Sequence, residues 1–260
     1  TRRPLLIHEQ NARAGLTNRL LMPLAKRVME AFPNTFRPDA RVRHTGNPLR
    51  RAFVEKAASE DEVRKADARE TNKSLRLLVV GGSLGAAHLN SVVPAALARL
   101  QADARPEVWH QTGKQNFEAT QAAYHAAGVM TDAIKLAPFI EDMASAYAWA
   151  DVVLCRAGAM TIAELAAAAV PSILVPFPYA VDDHQTANAN YLADQQAAIL
   201  IQQTQLSAEN LCEVLTMLTP AKLQAMSKAA SKLALLDATI QVVDQCLDVA
   251  QARNKEVSNG

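Results

Sequence analysis

The chain has 260 residues, half of them hydrophobic and a fifth charged, with a formal net charge of +1. That length allows two modest domains, and the near-neutral balance excludes a global electrostatic pull toward nucleic acid. No run reaches the roughly 18 apolar residues of a membrane span, and three scattered cysteines (Cys155, Cys212, Cys246) form neither a disulfide framework nor a zinc spacing, which suits a reducing cytoplasm.

Thr1-Arg-Arg-Pro leads straight into Leu5-Leu-Ile7, which carries no signal-peptide pattern and reads as the end of a buried strand. A domain seldom opens on an interior strand, so an upstream portion is expected. His8-Glu9-Gln10-Asn11 then set four polar side chains at the strand's end, where α/β proteins meet ligands; a polar loop with a helix cap has the same pattern. A helix is expected over Thr17 to Leu24, with Pro23 breaking it early and Leu16, Leu20, Leu21 and Leu24 on one face. With Lys26 and Arg27 following, that face suits either the core or an anionic membrane surface. Short strands are expected over Val28 to Ala31 and Val42 to Thr45, the second ending in the turn Gly46-Asn47-Pro48. The charged segment Ala52 to Thr71 reads as a linker and surface helix, so a domain boundary falls near Arg50.

From Leu75 the pattern alternates regularly. Strands are expected over Leu75–Val80, Glu107–Gln111, Ala133–Leu136, Val152–Cys155, Ser172–Val175 and Ala198–Ile201. Helices follow them over Ala86–Leu100, Gln115–Ala127, Glu141–Ala150, Thr161–Ala169, Gln185–Gln195 and Ala208–Leu218. This is the pattern of a doubly wound α/β domain with a parallel sheet. Pro220 restarts a helix to about Leu236. A last amphipathic helix, Ala238 to Ala252, sets Ile240, Val243, Leu247 and Ala250 on one stripe, and a polar tail expected to be disordered starts at Arg253.

Ligands of such sheets sit beyond the carboxyl ends of the strands, and the chemistry-bearing residues fall there. Gly81-Gly82-Ser83, with Gly85, joins a strand to a helix N-terminus, an arrangement that serves either as an anion cradle or as a steric turn. In Arg156 to Glu164, Gly158 and Ala159 permit close approach to a ligand. Glu164 suits a vicinal diol, but Thr161 with Glu164 also has capping-box spacing. Gln185 and Asn188, one turn apart after His184, offer amides able to read sugar hydroxyls. Asp182-Asp183 lacks a third ligand for a metal.

His8-Glu-Gln-Asn11, Gly46-Asn-Pro-Leu-Arg50, Gly81-Gly-Ser-Leu-Gly-Ala86, the stretch Phe139 to Asp151, Cys155-Arg-Ala-Gly-Ala-Met-Thr161 with Glu164, Val175-Pro-Phe-Pro178 and Asp182 to Asn188 occur in one order over nearly the whole chain. Together they resemble the MurG family of bacterial cell-wall N-acetylglucosaminyltransferases. The resemblance implies an α/β fold of the GT-B type with two Rossmann-like domains. Residues 1–50 would be a remnant of the N-terminal acceptor domain and 51–236 a complete C-terminal domain for UDP-N-acetylglucosamine. Residues 237–260 would be a helix returning to the first domain plus a polar tail.

The implied reaction is inverting transfer of N-acetylglucosamine to lipid I, giving lipid II. It would occur peripherally at the cytoplasmic face of the inner membrane, with cell-wall synthesis and division proteins as candidate partners. On this resemblance Ser83 and Arg50 hold the diphosphate, Ile140 contacts uracil and Met143 packs nearby. Glu164 holds the ribose, Ala159, Met160 and Thr161 line the sugar–phosphate path, and Gln185 with Asn188 reads N-acetylglucosamine. His8, Glu9 and Asn11 face the acceptor. No cofactor, metal or nucleic acid is implied. The family's opening Gly-Gly-Thr-Gly-Gly-His loop is absent, so the general base is not assigned, although His8 and Glu9 are candidates. Two other readings are a UDP-sugar-binding module without transfer activity and a UDP-N-acetylglucosamine epimerase or hydrolase of the same fold.

Overall fold

The computed structural model describes residues 3–63, 74–82 and 86–258, without the side chains of 58–63, 181 and 253–258. It contains two parallel sheets. The first has the order β1 (Leu6–Glu9), β2 (Arg27–Glu30), β3 (Val42–His44). The second has the order β6 (Ile134–Ala137), β5 (Glu107–Gln111), β4 (Arg76–Val80), β7 (Val152–Cys155), β8 (Ser172–Leu174), β9 (Ala198–Leu200). β4 and β7 pair in register from Leu77 opposite Val152 to Val80 opposite Cys155. Leu77, Leu78 and Val79 are buried, as are all four residues of β7. Such unbroken apolar runs form central strands because helices cover both faces.

The helices are α1 (Leu16–Leu21), α2 (Arg51–Val63), α3 (Ala87–Arg99), α4 (Phe117–Ala126), α5 (Met143–Trp149), α6 (Ala159–Ala167), α7 (His184–Ala193), α8 (Ala208–Thr216), α9 (Pro220–Ser231) and α10 (Ala238–Ser258). On one face of the second sheet, Leu77, Val79, Leu154 and Ile173 form a core with α3, α4 and α8. On the other, Leu78, Val153, Cys155 and Leu174 form a core with α5, α6 and α7, and this core also takes in Ala31 and Phe32 from beyond β2 and Phe53 from α2. A smaller core of Ile7, Ala25, Val28 and Phe36 supports the first sheet. α10 contacts β2, so the chain's end returns to the first sheet.

The first helix breaks early at Pro23 as expected: it stops at Leu21 and a 3-10 turn, Met22–Leu24, takes over, because the proline ring cannot continue the α-helical hydrogen bonds. Of its four leucines, Leu21 packs on the small core, while Leu16, Leu20 and Leu24 are 62%, 67% and 74% exposed. Two expectations about α10 change. The buried stripe of α10 is Ala238 and Val249, with Gln241, Val242 and Gln245 half-buried between them. Ile240, Val243 and Leu247 form a second stripe of the same period and face outward. The segment from Arg253, expected to be a disordered tail, continues α10 to Ser258.

Candidate functional site

The chain order of the second sheet reverses between β4 and β7. From β4 it steps outward through β5 to β6, and from β7 through β8 to β9. A crevice opens beyond the carboxyl ends at such a switch point. Gly81-Gly82 leaves β4 on one side of it and Arg156-Ala157-Gly158 leaves β7 on the other. Gly82 has φ +81°, while a Cβ there would meet nothing within 4 Å. Its glycine answers to backbone conformation, not crowding. Ser83 and Gly85 lie outside the described residues.

Two helices start at this edge, and neither has a side-chain cap. α3 begins after Ala86 and α6 after Gly158. Among the described residues no side chain caps their first N–H groups, so these groups and the positive dipole ends meet the electrostatic requirement for binding an anion. This corrects the capping-box reading: Thr161 is the third residue of α6, not its cap, and Glu164 is the sixth. Ala159, Met160 and Thr161 form the helix's first turn, each half-buried.

Glu164 is 9% exposed. Its Oε1 accepts a hydrogen bond from Arg50 Nη2 at 3.0 Å, and the buried Tyr147 hydroxyl also donates to it. Burial pushes the Glu164 carboxyl above its usual range, against the opposing pull of Arg50 and Tyr147. The Arg50 guanidinium also lies 5.1 Å from the centre of the Phe53 ring. Two residues 114 positions apart, one expected at the diphosphate and one at the ribose, are thus bound to each other.

Gln185 is half-buried. Its Oε1 accepts from the Ala157 N–H at 3.2 Å and the Phe177 N–H at 3.0 Å, tying the loops after β7 and β8 together. Asn188 does not take the expected hydroxyl-reading place, because it is fully buried. Its Oδ1 accepts from the Ala12 N–H at 2.8 Å, and its Nδ2 donates to Asn11 Oδ1 and to the Ala157 carbonyl, both at 3.2 Å. Asn11 is half-buried, with its side-chain amide shared between Asn188 and Glu9.

Glu9 is corrected as well. It is 4% exposed and accepts from the N–H groups of Asn11 and Gly15 and from the side-chain amide of Asn18. Burial pushes its carboxyl up, but those hydrogen bonds outweigh it and hold the group below its ordinary value of 4.5. An acid with its lone pairs occupied and its pKa lowered is a poor proton acceptor. His8 is half-buried, with Nε2 3.0 Å from the Gly46 carbonyl, to which it donates as the Nε2–H tautomer. Ile140 is buried, and its N–H donates to Gln111 Oε1 at 3.1 Å. Met143 opens α5 and packs at the edge of the shared core. Asp183 accepts from the Thr186 hydroxyl, and Asp182 lies 3.7 Å from Arg19.

Two supports for this edge escaped the sequence reading. Arg156 Nη1 donates to the carbonyls of Val175 and Pro176, and its Nη2 donates to Gln203 Oε1. The other support is buried behind β5. His110 bonds Asn90 Oδ1 and the Tyr124 hydroxyl, each at 3.0 Å, and Asn90 Nδ2 donates to the Thr112 carbonyl at 2.9 Å. Burial lowers the His110 pKa to about 3, so the ring is neutral. Asn90 must accept from His110 Nε2–H, which leaves Nδ1 to accept from Tyr124. The network clamps α3 to the end of β5. Neither support had a sequence signal, since hydrogen-bond partners 14 to 47 residues away leave no local pattern.

Known proteins match this organisation. The glycosyltransferase family 28 C-terminal domain matches residues 76–242. The UDP-N-acetylglucosamine–N-acetylmuramyl-(pentapeptide) pyrophosphoryl-undecaprenol N-acetylglucosamine transferase of Stutzerimonas stutzeri is 54% identical over 250 residues, covering 95% of this chain and 67% of the relative. The crystal structure of Acinetobacter baumannii MurG has a TM-score of 0.79 at 44% identity, covering 93% of this chain and 66% of that one. A UDP-GlcNAc 2-epimerase from Neisseria meningitidis, solved with UDP-GlcNAc bound, shares the fold at a TM-score of 0.64 and 11% identity, covering 94% of this chain and 69% of that one. The chain spans about two thirds of the length of the relatives it matches.

Proposed function

The chain belongs to the MurG family of glycosyltransferases, within glycosyltransferase family 28, and from that premise we propose that its β4–β7 crevice binds UDP-N-acetylglucosamine for transfer of the sugar to lipid I. In the inverting reaction, the 4-hydroxyl of the N-acetylmuramoyl unit attacks the anomeric carbon and UDP leaves. The uncapped N-termini of α3 and α6, with Ser83 and Arg50, hold the diphosphate and stabilise the charge that develops on the departing UDP. Glu164 accepts from the ribose hydroxyls. Ile140, with Met143 beside it, borders the uracil and has its carbonyl left to offer, its N–H being taken by Gln111. Ala159, Met160 and Thr161 line the path between phosphate and sugar. Gln185 reads the sugar through its NH2 group, since its carbonyl oxygen already serves two loop amides. His8 and Asn11 border the acceptor side.

We place the domain division at 1–50, 51–236 and 237–260, with α10 returning to the first sheet. The protein works at the cytoplasmic face of the inner membrane as a peripheral enzyme. The exposed Leu16, Leu20 and Leu24 beside Lys26 support that contact. No helix among the described residues is long and apolar enough to cross a membrane.

The Arg50–Glu164 pair beside the crevice carries this reading. Calorimetric titration of UDP and UDP-N-acetylglucosamine tests it. Arg50→Ala and Glu164→Ala are each expected to weaken binding by about tenfold or more, and unchanged affinity in both would sink the assignment. Turnover of lipid I by this chain separates transfer from donor binding alone. Release of UDP with no lipid present would favour the epimerase or hydrolase reading.

A further inference from the structure

Away from the donor crevice, an open cavity of about 530 Å3 lies between the segment that follows β1 and the approach to α7, lined by Ala12, Arg13, Arg19, Asn34, Thr35 and Asp182. Two cations face it. Arg13 Nη1 donates to the Asp182 backbone carbonyl at 2.9 Å, and Arg19 Nη2 lies 3.7 Å from the Asp182 carboxylate, with both side chains of that pair more than half exposed. Exposed pairs at such a separation contribute little to stability. The remaining side-chain N–H groups of both arginines have no protein acceptor among the described residues. A cavity with two arginines and one loosely held carboxylate has spare capacity for an anion.

The walls also hold unusual backbone. Asn34 has φ +65° and Asp182 φ +52°, and Asp183 beside it has φ +51°. Two of these residues, Asn34 and Asp182, line the cavity, and both are of the types that take the left-handed region at least cost. One wall comes from the first sheet's segments and the other from the approach to α7, so an occupant would touch both halves of the molecule.

We propose that this cavity is an anion subsite for the acceptor, in which the Arg13 and Arg19 guanidinium groups bind a carboxylate or phosphate and the ligand displaces Asp182 from Arg19. It rests on the reading that places the acceptor on the first-sheet side. Guanidinium forks match both anions bidentately. An acceptor carrying a peptide and a diphosphate could supply either, through stem carboxylates or through pyrophosphate oxygens.

The test titrates the 260-residue chain with an acidic pentapeptide and, separately, with inorganic pyrophosphate, each with UDP present at saturation to fill the donor crevice. The variants are the double Arg13→Gln/Arg19→Gln and the single Asp182→Asn. Asparagine tolerates the left-handed backbone as aspartate does, so the single variant removes a charge without forcing a rearrangement. The double variant is expected to weaken binding by about tenfold or more, and Asp182→Asn to strengthen it by about threefold. A response of the pentapeptide assigns the subsite to stem carboxylates, and a response of pyrophosphate assigns it to the diphosphate. The proposal is overturned if neither probe saturates the chain by about 10 mM, or if the two variants fail to move affinity in opposite directions. Affinity for UDP, measured alongside, stays unchanged in both variants. Failure of the unaltered chain to bind UDP would instead remove the donor reading, and the two anion probes would still report on this cavity.

Discussion

Asn188 exposes no surface and uses both ends of its amide, accepting from Ala12 and donating to Asn11 and Ala157. It is a staple between the first sheet's outgoing loop and the end of β7. Truncation to alanine strands the Ala12 N–H and weakens the hold on the Ala157 carbonyl, so Asn188→Ala is expected to lose about 2–4 kcal/mol in urea unfolding. A residue that only read sugar hydroxyls would lower affinity and leave stability unchanged. Glu9 makes a similar argument that pH can test. Its folded pKa lies below the unfolded value near 4.5, so its contribution is present above that value and lost as pH falls through the folded pKa. Glu9→Gln is expected to cost about 1–3 kcal/mol at neutral pH, because an NH2 group then meets backbone N–H donors. The gap to the unaltered protein should shrink below pH 4.5, and a constant gap down to pH 3 would refute the hydrogen-bond account. The sequence marked His8 to Asn11 and Gln185 with Asn188 as polar clusters at strand ends. It gave no sign that Glu9 and Asn188 turn inward, because their partners lie on segments that meet them only after folding.

At the scale of elements, the alternation after Leu75 was legible because buried parallel strands are unbroken apolar runs between helices, and β5 and β7 fall on their expected bounds. Helix starts were less legible. Thr161 with Glu164 matched a capping box, yet the helix begins after Gly158, so a local motif lost to the tight turn out of β7. α10 carries two stripes of one period, and the buried one is the mixed one, with Gln241 and Gln245 between Ala238 and Val249, which periodicity alone cannot say. The start of the helix lies close against Gly46, which has φ +78° and where a Cβ would lie 3.2 Å from Ala238 Cβ. α1 and its 3-10 extension present the same ambiguity with a different outcome. Leu16, Leu20 and Leu24 are exposed and Lys26 follows. If this face meets the membrane, the chain should co-sediment with vesicles containing anionic lipid, and changing the three leucines to glutamine should lower the partition coefficient by about tenfold or more. Equal sedimentation of both forms would show that the leucines have another use.

Across the whole molecule, the two sheets are joined by more than a linker. Phe32, just beyond β2, meets Tyr191 of α7 edge-on at 5.1 Å, and Ala31, Phe32 and Phe53 belong to the core formed by one face of the second sheet. Arg50–Glu164 and Asn188–Ala12 cross the same junction. Separate sheets sharing a core should unfold together, so stabilisation applied at the β4–β7 crevice should reach the first sheet. A ligand that binds only the folded chain adds about 2.7 kcal/mol at a hundred times its Kd, and about 2–4 °C per kcal/mol is typical at this size, so UDP at that level should raise Tm by about 5–10 °C. Calorimetry should show one transition moving as a whole. Two transitions with only one displaced would mean that the Phe32–Tyr191 junction does not couple the sheets. A single transition that ignores UDP would mean instead that the crevice between the two uncapped helices is not where the nucleotide binds.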